Sequence, residues 1–327
     1  MTAAARPAVL VTGVGGNVGQ GVLRAITSLR DEIRLVGTNT VAVTGGNHLC
    51  DRVHLVPPAE DARYLERLRA ICDEERVGLI IPATDHETVV LADAEDLPTV
   101  AVGAAGGARA CFDKWETAQL FQERGVPFAR SMLPSSSGVG PAFERWVVKP
   151  RTGRGSRDVH LDAPDPRAFS DDFVVQERAF GREVTVAAYV RRSGSLHGFV
   201  ALERTLEQGT TVACSVVTDL DHKLGPLVLG VVEALGARGS CNVQVIATDD
   251  GDVVPFEVNY RLSGTTSIRH RLGFPDAVWT VEEWLLGRTP SAPSVQRGCA
   301  VRLWMDVVYP GSTFADVAAG DPPHVVF

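Results

Sequence analysis

Three side chains in the segment PFEVNYRLSG, residues 255–264, have types and spacing suited to phosphate chemistry: Glu257, Asn259 and Arg261. At i, i+2 and i+4 they share one face of an extended chain, while Phe256, Val258, Tyr260 and Leu262 share the other and read as core. Just upstream, CNVQVIATDDGDVV carries an Asp-Gly hairpin signal at 250–251. A two-residue turn there sets Asp249 opposite Asp252, Gln244 opposite Glu257 and Asn242 opposite Asn259. Oxygen ligands of that kind suit a hard cation such as Mg²⁺, which combines one or two carboxylates with phosphates and water. A solvated polar ladder is the plainer reading. It fits poorly, because Phe256 and Val258 demand burial on the other face.

A second candidate centres on lysine. The chain holds 32 Lys and Arg residues, yet only Lys114, Lys149 and Lys223 are lysines. Against that bias, a lysine marks a place that needs a compact, mobile ammonium. Lys149 ends the apolar run RWVVKP and precedes the loop RTGRGSRDV. In this loop Gly153 and Gly155 would let backbone amides approach oxygens, Ser156 adds a donor, and Arg151 and Arg154 add charge. No GK[ST] opens a helix here, so the loop is not a Walker A motif. The alternative is a solvated hairpin with a salt-bridged lysine.

Other features carry less. GVGGNVGQG, residues 13–21, follows a strand and opens a helix, but its glycines give G-x-G-x-x-x-G and the second strand ends Gly37-Thr38-Asn39-Thr40 without the acid a dinucleotide ribose needs. A structural turn is expected. In TDHE, residues 84–87, Asp85 and Glu87 are expected to cap a helix or line a cleft. His222 and His270 read as surface or loop residues. Arg204, Arg261, Arg269 and Arg271 are candidates to anchor a substrate carboxylate, since Arg binds carboxylates bidentately.

The elements that must position these residues fall into two regimes. Residues 8–110 alternate strand and helix patterns (AVLVTG, VLRAITSLR, IRLVGT, YLERLRAICDEERV, GLIIPA, TVAVG), which predicts a parallel, doubly wound α/β sheet. From Cys111 the pattern changes. DKWETAQLFQERG predicts an amphipathic helix stopped by Gly125, and it is followed by RWVVKP, DVHL, FVVQE, EVTVAAYVR, LHGFVALERT, CNVQVIAT and DVVPFEVN as strands with few helices, an α+β region. CAVRLWMDVV reads as a last strand, leaving a C-terminal lobe small or absent. The chain has 327 residues at 45% hydrophobic, enough for two or three packed domains, and shows no internal repeat. A net charge of −8 excludes a phosphate-tracking nucleic-acid binder. Six cysteines without CxxC or Cys/His zinc spacing, and no signal-peptide or membrane-span pattern, predict a cytoplasmic protein.

Four stretches together, DKWETAQLFQERGVP, VVKPRTGRGS, VVQERAFGREVTV and NVQV…PFEVNYRLSG, resemble the ATP-grasp superfamily, most closely the branch of carbamoyl phosphate synthetase and biotin carboxylase. The resemblance covers nearly the whole chain. It implies a pre-ATP-grasp domain at 1–110, a small grasp lobe with the glycine loop at 111–175, and a large lobe with the metal site at 176–327. It further implies ATP and Mg²⁺ (or Mn²⁺) as cofactors, with Lys114 and Lys149 on the phosphates. Backbone around Gln176, Glu177 and Arg178 would meet the adenine, and Glu183 the ribose hydroxyls. Glu257, Asn259 and Gln244 would hold the metal, and Arg261 would face the transferring phosphoryl group. Tyr260 and Leu262-Ser263 depart from the family pattern near the acceptor pocket. The activity implied is a stand-alone ADP-forming carboxylate–amine (or carboxylate–thiol) ligase acting on a small-molecule acid and an amine or similar nucleophile, with a homodimer as one compatible assembly. Bicarbonate-directed chemistry of the synthetase or carboxylase kind, and a nucleotide-binding regulator without catalysis, are the alternatives.

Overall fold

The computed structural model describes residues 6–137, 143–153, 158–320 and 322–327. In chain order the first region comprises β1 (Ala8–Val11), α1 (Asn17–Ile26), β2 (Arg34–Asn39), β3 (Arg52–Leu55), α2 (Tyr64–Glu75), β4 (Val77–Ile81), α3 (Asp85–Ala92) and β5 (Thr99–Val100). Its five strands form one parallel sheet in the order β3-β2-β1-β4-β5. β1 is an unbroken apolar run buried on both faces, as a central parallel strand with helices on either side must be. The strand β3 was not among those expected, since RVHL is half exposed and too short to announce itself.

After α4 (Ala105–Phe112), the helix α5 (Lys114–Arg124) begins at an Asp113 cap, whose side chain accepts from the backbone of Trp115 and Glu116, and stops at Gly125 with φ +66°. Beside it β6 (Ser131–Met132), β7 (Trp146–Pro150), β8 (His160–Leu161) and β9 (Phe173–Glu177) make a small antiparallel sheet in the order β6-β9-β7-β8.

The large sheet follows: β10 (Gly181–Val190), β11 (Leu196–Glu207), β12 (Thr210–Val217), α6 (Asp221–Leu235), β13 (Gly239–Thr248), β14 (Val253–Asn259), α7 (Thr266–Arg271), α8 (Asp276–Trp284) and β15 (Cys299–Val301). Six strands are ordered β14-β13-β10-β11-β12-β15. Four elements here were not anticipated, β12, α6, α7 and α8; α6 is the longest. The helix sequence holds Gly225, Pro226 and Gly230, all poor helix formers. Tertiary packing overrides them: Leu224, Leu227, Val228, Val231, Val232 and Leu235 recur at helical spacing and fill the core against β10 and β13.

The hairpin of β13 and β14 departs from expectation at its tip and agrees at its base. The Thr248 amide bonds the Asp252 carbonyl at 2.9 Å, so Asp249, Asp250 and Gly251 form a three-residue loop, with Gly251 at φ +87°. Asp249 therefore does not face Asp252. A β-bulge at Phe256 then absorbs one residue, and below it Gln244 pairs with Glu257 and Asn242 with Asn259. The expected site register holds for a reason other than the expected turn.

The same bulge corrects the placement of Phe256. It lines the nucleotide-sized cleft together with Glu257, whereas Val258, Tyr260 and Leu262 are buried as core.

The N-terminal glycine turn is structural in its surroundings. Gly13 adopts φ +56°, and a Cβ on Gly19 would lie 2.6 Å from the Gly13 carbonyl oxygen. Gln20 Nε2 of α1 donates to the Gly15 carbonyl at 3.1 Å, and the segment after β2 folds over the turn, where a Cβ on Gly46 would sit 1.9 Å from the Val14 oxygen.

Candidate active site

A cleft of about 470 Å³ lies between the small and large sheets. Its walls are partly apolar, from Val147, Leu161, Ile246, Val254 and Phe256, and partly polar or charged, from Lys114, Lys149, Glu183, Arg204, Gln244 and Glu257. Gln176, Glu177 and Arg178 line it where β9 hands over to β10, which is the wall expected to face a base. A flat apolar body with a strongly anionic tail fits such a cavity.

Lys149 is brought in from β7. Its Nζ donates to the Phe256 carbonyl at 3.3 Å and stands 5.5 Å from the centroid of that ring, so the lysine bridges the two lobes. Burial pushes its ammonium down to about 8; Glu257 opposes the shift and Lys114 adds to it. Lys114, at the first position of α5, donates to the carbonyls of Gly153 (3.3 Å) and Arg151 (3.4 Å), beneath the glycine loop. Arg151 is held by Asp113 at 2.6 Å, which fixes the start of that loop. Arg154, Gly155 and Ser156 lie outside the described residues.

At the hinge, Gln176 is buried and its Nε2 donates to Ser131 Oγ at 3.2 Å, while the Glu177 carboxylate is paired with Arg130 at 2.7 Å. Arg178 donates to Asp162 at 2.7 Å. The side chains of Glu177 and Arg178 are thereby committed to protein partners, which leaves their backbone for any contact with a base. Glu183, the expected ribose partner, accepts from Arg204 Nε at 3.1 Å.

Arg204 also donates through Nη2 to Gln244 Oε1 at 2.6 Å. This relationship was not foreseeable along the chain, because it needs β10, β11 and β13 side by side: Val184 pairs with Glu203 on one flank and Thr185 with Gln244 on the other. It bears on the expected metal set. Gln244's oxygen is occupied by a guanidinium, and the Asn242 oxygen accepts from Thr185 Oγ1 at 2.8 Å. The Asn259 oxygen likewise accepts from Arg261 Nη2 at 3.0 Å, and Asn259 Nδ2 lies 3.4 Å from Glu257 Oε1, so of the expected ligands Glu257 is the one whose oxygens no guanidinium holds. A carboxylate beside an amide oxygen is a hard donor pair that fits Mg²⁺ completed by phosphate and water.

Next to the cleft, and sharing Gly153, Arg204, Gly209, Gln244 and Glu257 with it, is a smaller cavity of about 140 Å³. Its further walls come from Asn17 and Asp85 of the first domain and from Arg261 and Ser263 of the large lobe. Arg261 Nη2 donates to Asp85 at 2.7 Å and to Asn259 Oδ1 at 3.0 Å. Asp85 thus lines the cleft, and the cap of α3 is Thr84, whose side chain accepts from the Glu87 amide. Glu87 is buried and takes hydroxyl bonds from Thr12, Thr84 and Tyr64.

Of the candidate carboxylate anchors, Arg204 and Arg261 lie at this junction. Arg269 does not: it is fully buried, forked onto Asp276 at 2.9 and 2.8 Å and bonded to Ser263 and Thr265, a structural role. Arg271 lies elsewhere, in a third depression beside α1. His222 is exposed, as expected of a surface residue.

Two lobes closing a charged cleft behind a parallel-sheet domain define a nucleotide-grasping class of protein. The ATP-grasp domain family matches residues 111–265, and the PylC-like N-terminal domain family matches residues 9–101. Residues 111–265 thus hold an ATP-grasp domain. No curated protein sequence matches it. Among solved structures it is similar to N5-carboxyaminoimidazole synthetase from Staphylococcus aureus complexed with ADP, at 11% identity and TM-score 0.74 over 91% of this chain and 82% of that one. The biotin carboxylase domain of Hydrogenobacter thermophilus 2-oxoglutarate carboxylase gives 15% and 0.68, over 89% of this chain and 73% of the other. L-amino acid ligase from Bacillus licheniformis gives 15% and 0.67, over 85% and 74%. At these identities the likeness is one of fold.

Proposed function

We propose that the protein is an ADP-forming ligase, which activates a small-molecule carboxylate with ATP as an acyl phosphate and joins it to an amine. The observation that carries this reading is the shared wall between the two cavities. Arg204, Gln244 and Glu257 border both, so a triphosphate tail in the larger cavity would end beside an acid in the smaller.

Phosphoryl transfer needs positioning and charge neutralisation more than covalent help. Lys114 and Lys149 supply ammonium groups at the phosphate end, and Arg261, held by Asp85 and Asn259, offers a fixed guanidinium on the acid's side. Glu257 and Asn259 would hold Mg²⁺, which would supply positive charge against the phosphates. The carboxylate oxygen attacks the terminal phosphorus and ADP leaves; the amine then attacks the acyl carbon and phosphate leaves. No side-chain nucleophile enters, in keeping with the residue types lining the cavities. The small cavity also admits bicarbonate as the acid, the second reading.

Under the same proposal the protein works in a reducing cytoplasm, in keeping with six cysteines that form no disulfide and with no helix among the described residues long and apolar enough to cross a membrane. A homodimer would cover the exposed Leu303 and Trp304.

A panel of carboxylic acids, bicarbonate included, tests the reading by release of ADP and phosphate. Turnover is expected only with a matching acid, and hydroxylamine in place of the amine should trap an organic acyl phosphate as a hydroxamate. Stoichiometric AMP and pyrophosphate would overturn it.

A further inference from the structure

The third depression, of about 590 Å³, lies outside the chemistry described above. It is lined by Arg24, Ala25, Thr27 and Ser28 from the end of α1 and the turn after it, by Leu49, and by Ser267, His270 and Arg271 of α7. Every ionisable group in this lining is a base. In a protein of net charge −8 that is a local inversion of sign. Arg24 is bonded to the uncharged Gln20 Oε1 at 3.4 Å, and its field bears on the nearby Arg302. No carboxylate among the described residues pairs with Arg24 or Arg271, although 22 ion pairs are formed elsewhere. The Nδ1 of His270 is buried without a protein partner. The hydroxyls of Ser28 and Ser267 lie in the same lining with apolar Ala25 and Leu49, while Thr27 Oγ1 donates to the Leu23 carbonyl at 2.8 Å.

We propose that this depression is a second ligand site, for a small metabolite bearing clustered anionic oxygens, either carboxylates or a phosphate. Two guanidiniums recognise such oxygens by charge-assisted hydrogen bonds, with the Ser28 and Ser267 hydroxyls beside them. The volume suits a metabolite and not a macromolecular segment. The site is also placed to be felt elsewhere. Its two main walls continue into the smaller catalytic cavity: Asn17 and Val18 begin α1 there, and Ser263, Gly264 and Thr265 lead into α7.

Calorimetric titration of the full chain with citrate and, separately, with inorganic phosphate tests the site without any activity assay. Saturable binding of at least one is expected, and the stronger of the two identifies carboxylate or phosphate as the preferred group. The exposed pair Arg24→Gln and Arg271→Gln, with an unchanged melting temperature, should weaken that binding by about 10-fold or more. Lys149→Ala should leave it intact. Absence of saturable binding, indifference to the arginine pair, or loss in Lys149→Ala would each overturn the proposal. The last outcome would mean that the anions report the nucleotide cleft. Binding retained in Lys149→Ala stands whether or not the ligase reading survives.

Discussion

Asp85 Oδ2 lies 2.7 Å from Arg261 Nη2, joining the first turn of a helix in the parallel-sheet domain to the end of the β13–β14 hairpin in the large lobe. The contact crosses 176 residues of chain and is mostly shielded, with side-chain exposures of 22% and 13%. Asp85 therefore orients a cation that belongs to another domain. Asp85→Asn should lower kcat by about 10-fold to 100-fold, with the KM for ATP nearly unchanged, since the loss falls on positioning at the acid's side. Asp85→Glu should recover part of it. A rise in the ATP KM with kcat intact would assign Asp85 to nucleotide binding.

Lys149 gives a prediction with two signs. Its ammonium is held at about 8 by burial, below its ordinary 10.5, so between these values the unfolded chain binds the extra proton. The cost of burying the charge is present in full below pH 8 and fades as pH rises toward 10.5. Lys149→Met should thus melt at or above the wild-type temperature at pH 7, with the difference shrinking at pH 10, while ATP binding and turnover collapse. Lys149→Arg should not restore activity, because a wide fork does not fit a point-charge site. Calorimetry at the two pH values and ATP titration check both halves.

Glu257→Gln and Asn259→Ala should each raise the Mg²⁺ concentration for half-maximal activity by about 10-fold or more. Asp250→Ala, at the hairpin tip where its carboxylate accepts from Thr248 Oγ1, should leave that concentration unchanged and shift only the melting temperature. Metal titrations of the three variants in parallel decide between ligand and scaffold.

Arg204 ties Glu183 to Gln244, and its removal should be felt at both cavities. Arg204→Gln is expected to raise the KM for ATP and for the acid together. An effect on ATP alone would mean that the guanidinium serves only to order Glu183.

Much of this site was legible along the chain because its parts are local. The i, i+2, i+4 spacing of Glu257, Asn259 and Arg261, the scarce lysine at a strand end, and the Asp113 cap with its Gly125 stop all depend on a few consecutive residues. What was hidden depends on pairing between distant strands. The Arg204 bridge needs the β10–β11 and β10–β13 registers at once, and the walls of the smaller cavity come from residues 17, 85, 211 and 263. Phe256 was misplaced because alternation was extended through a bulge, an irregularity that no local residue type announces. Helix α6 was missed because Gly225 and Pro226 speak against a helix locally and only burial speaks for it. Arg269 looked like a substrate anchor because its burial partner, Asp276, is contributed by the following helix.

The bulge at Phe256 also separates two tolerances within one hairpin. Above it, the loop Asp249–Gly251 is exposed, and a Cβ on Gly251 would meet nothing within 4 Å. Below it, Gln244 and Glu257 keep their pairing. A residue of length gained or lost at the tip can be taken up at the irregular step without turning Glu257 away from the cleft. The tip is thus a natural place to graft a fluorophore or an epitope: a reporter carried on a hairpin whose other end lines both cavities.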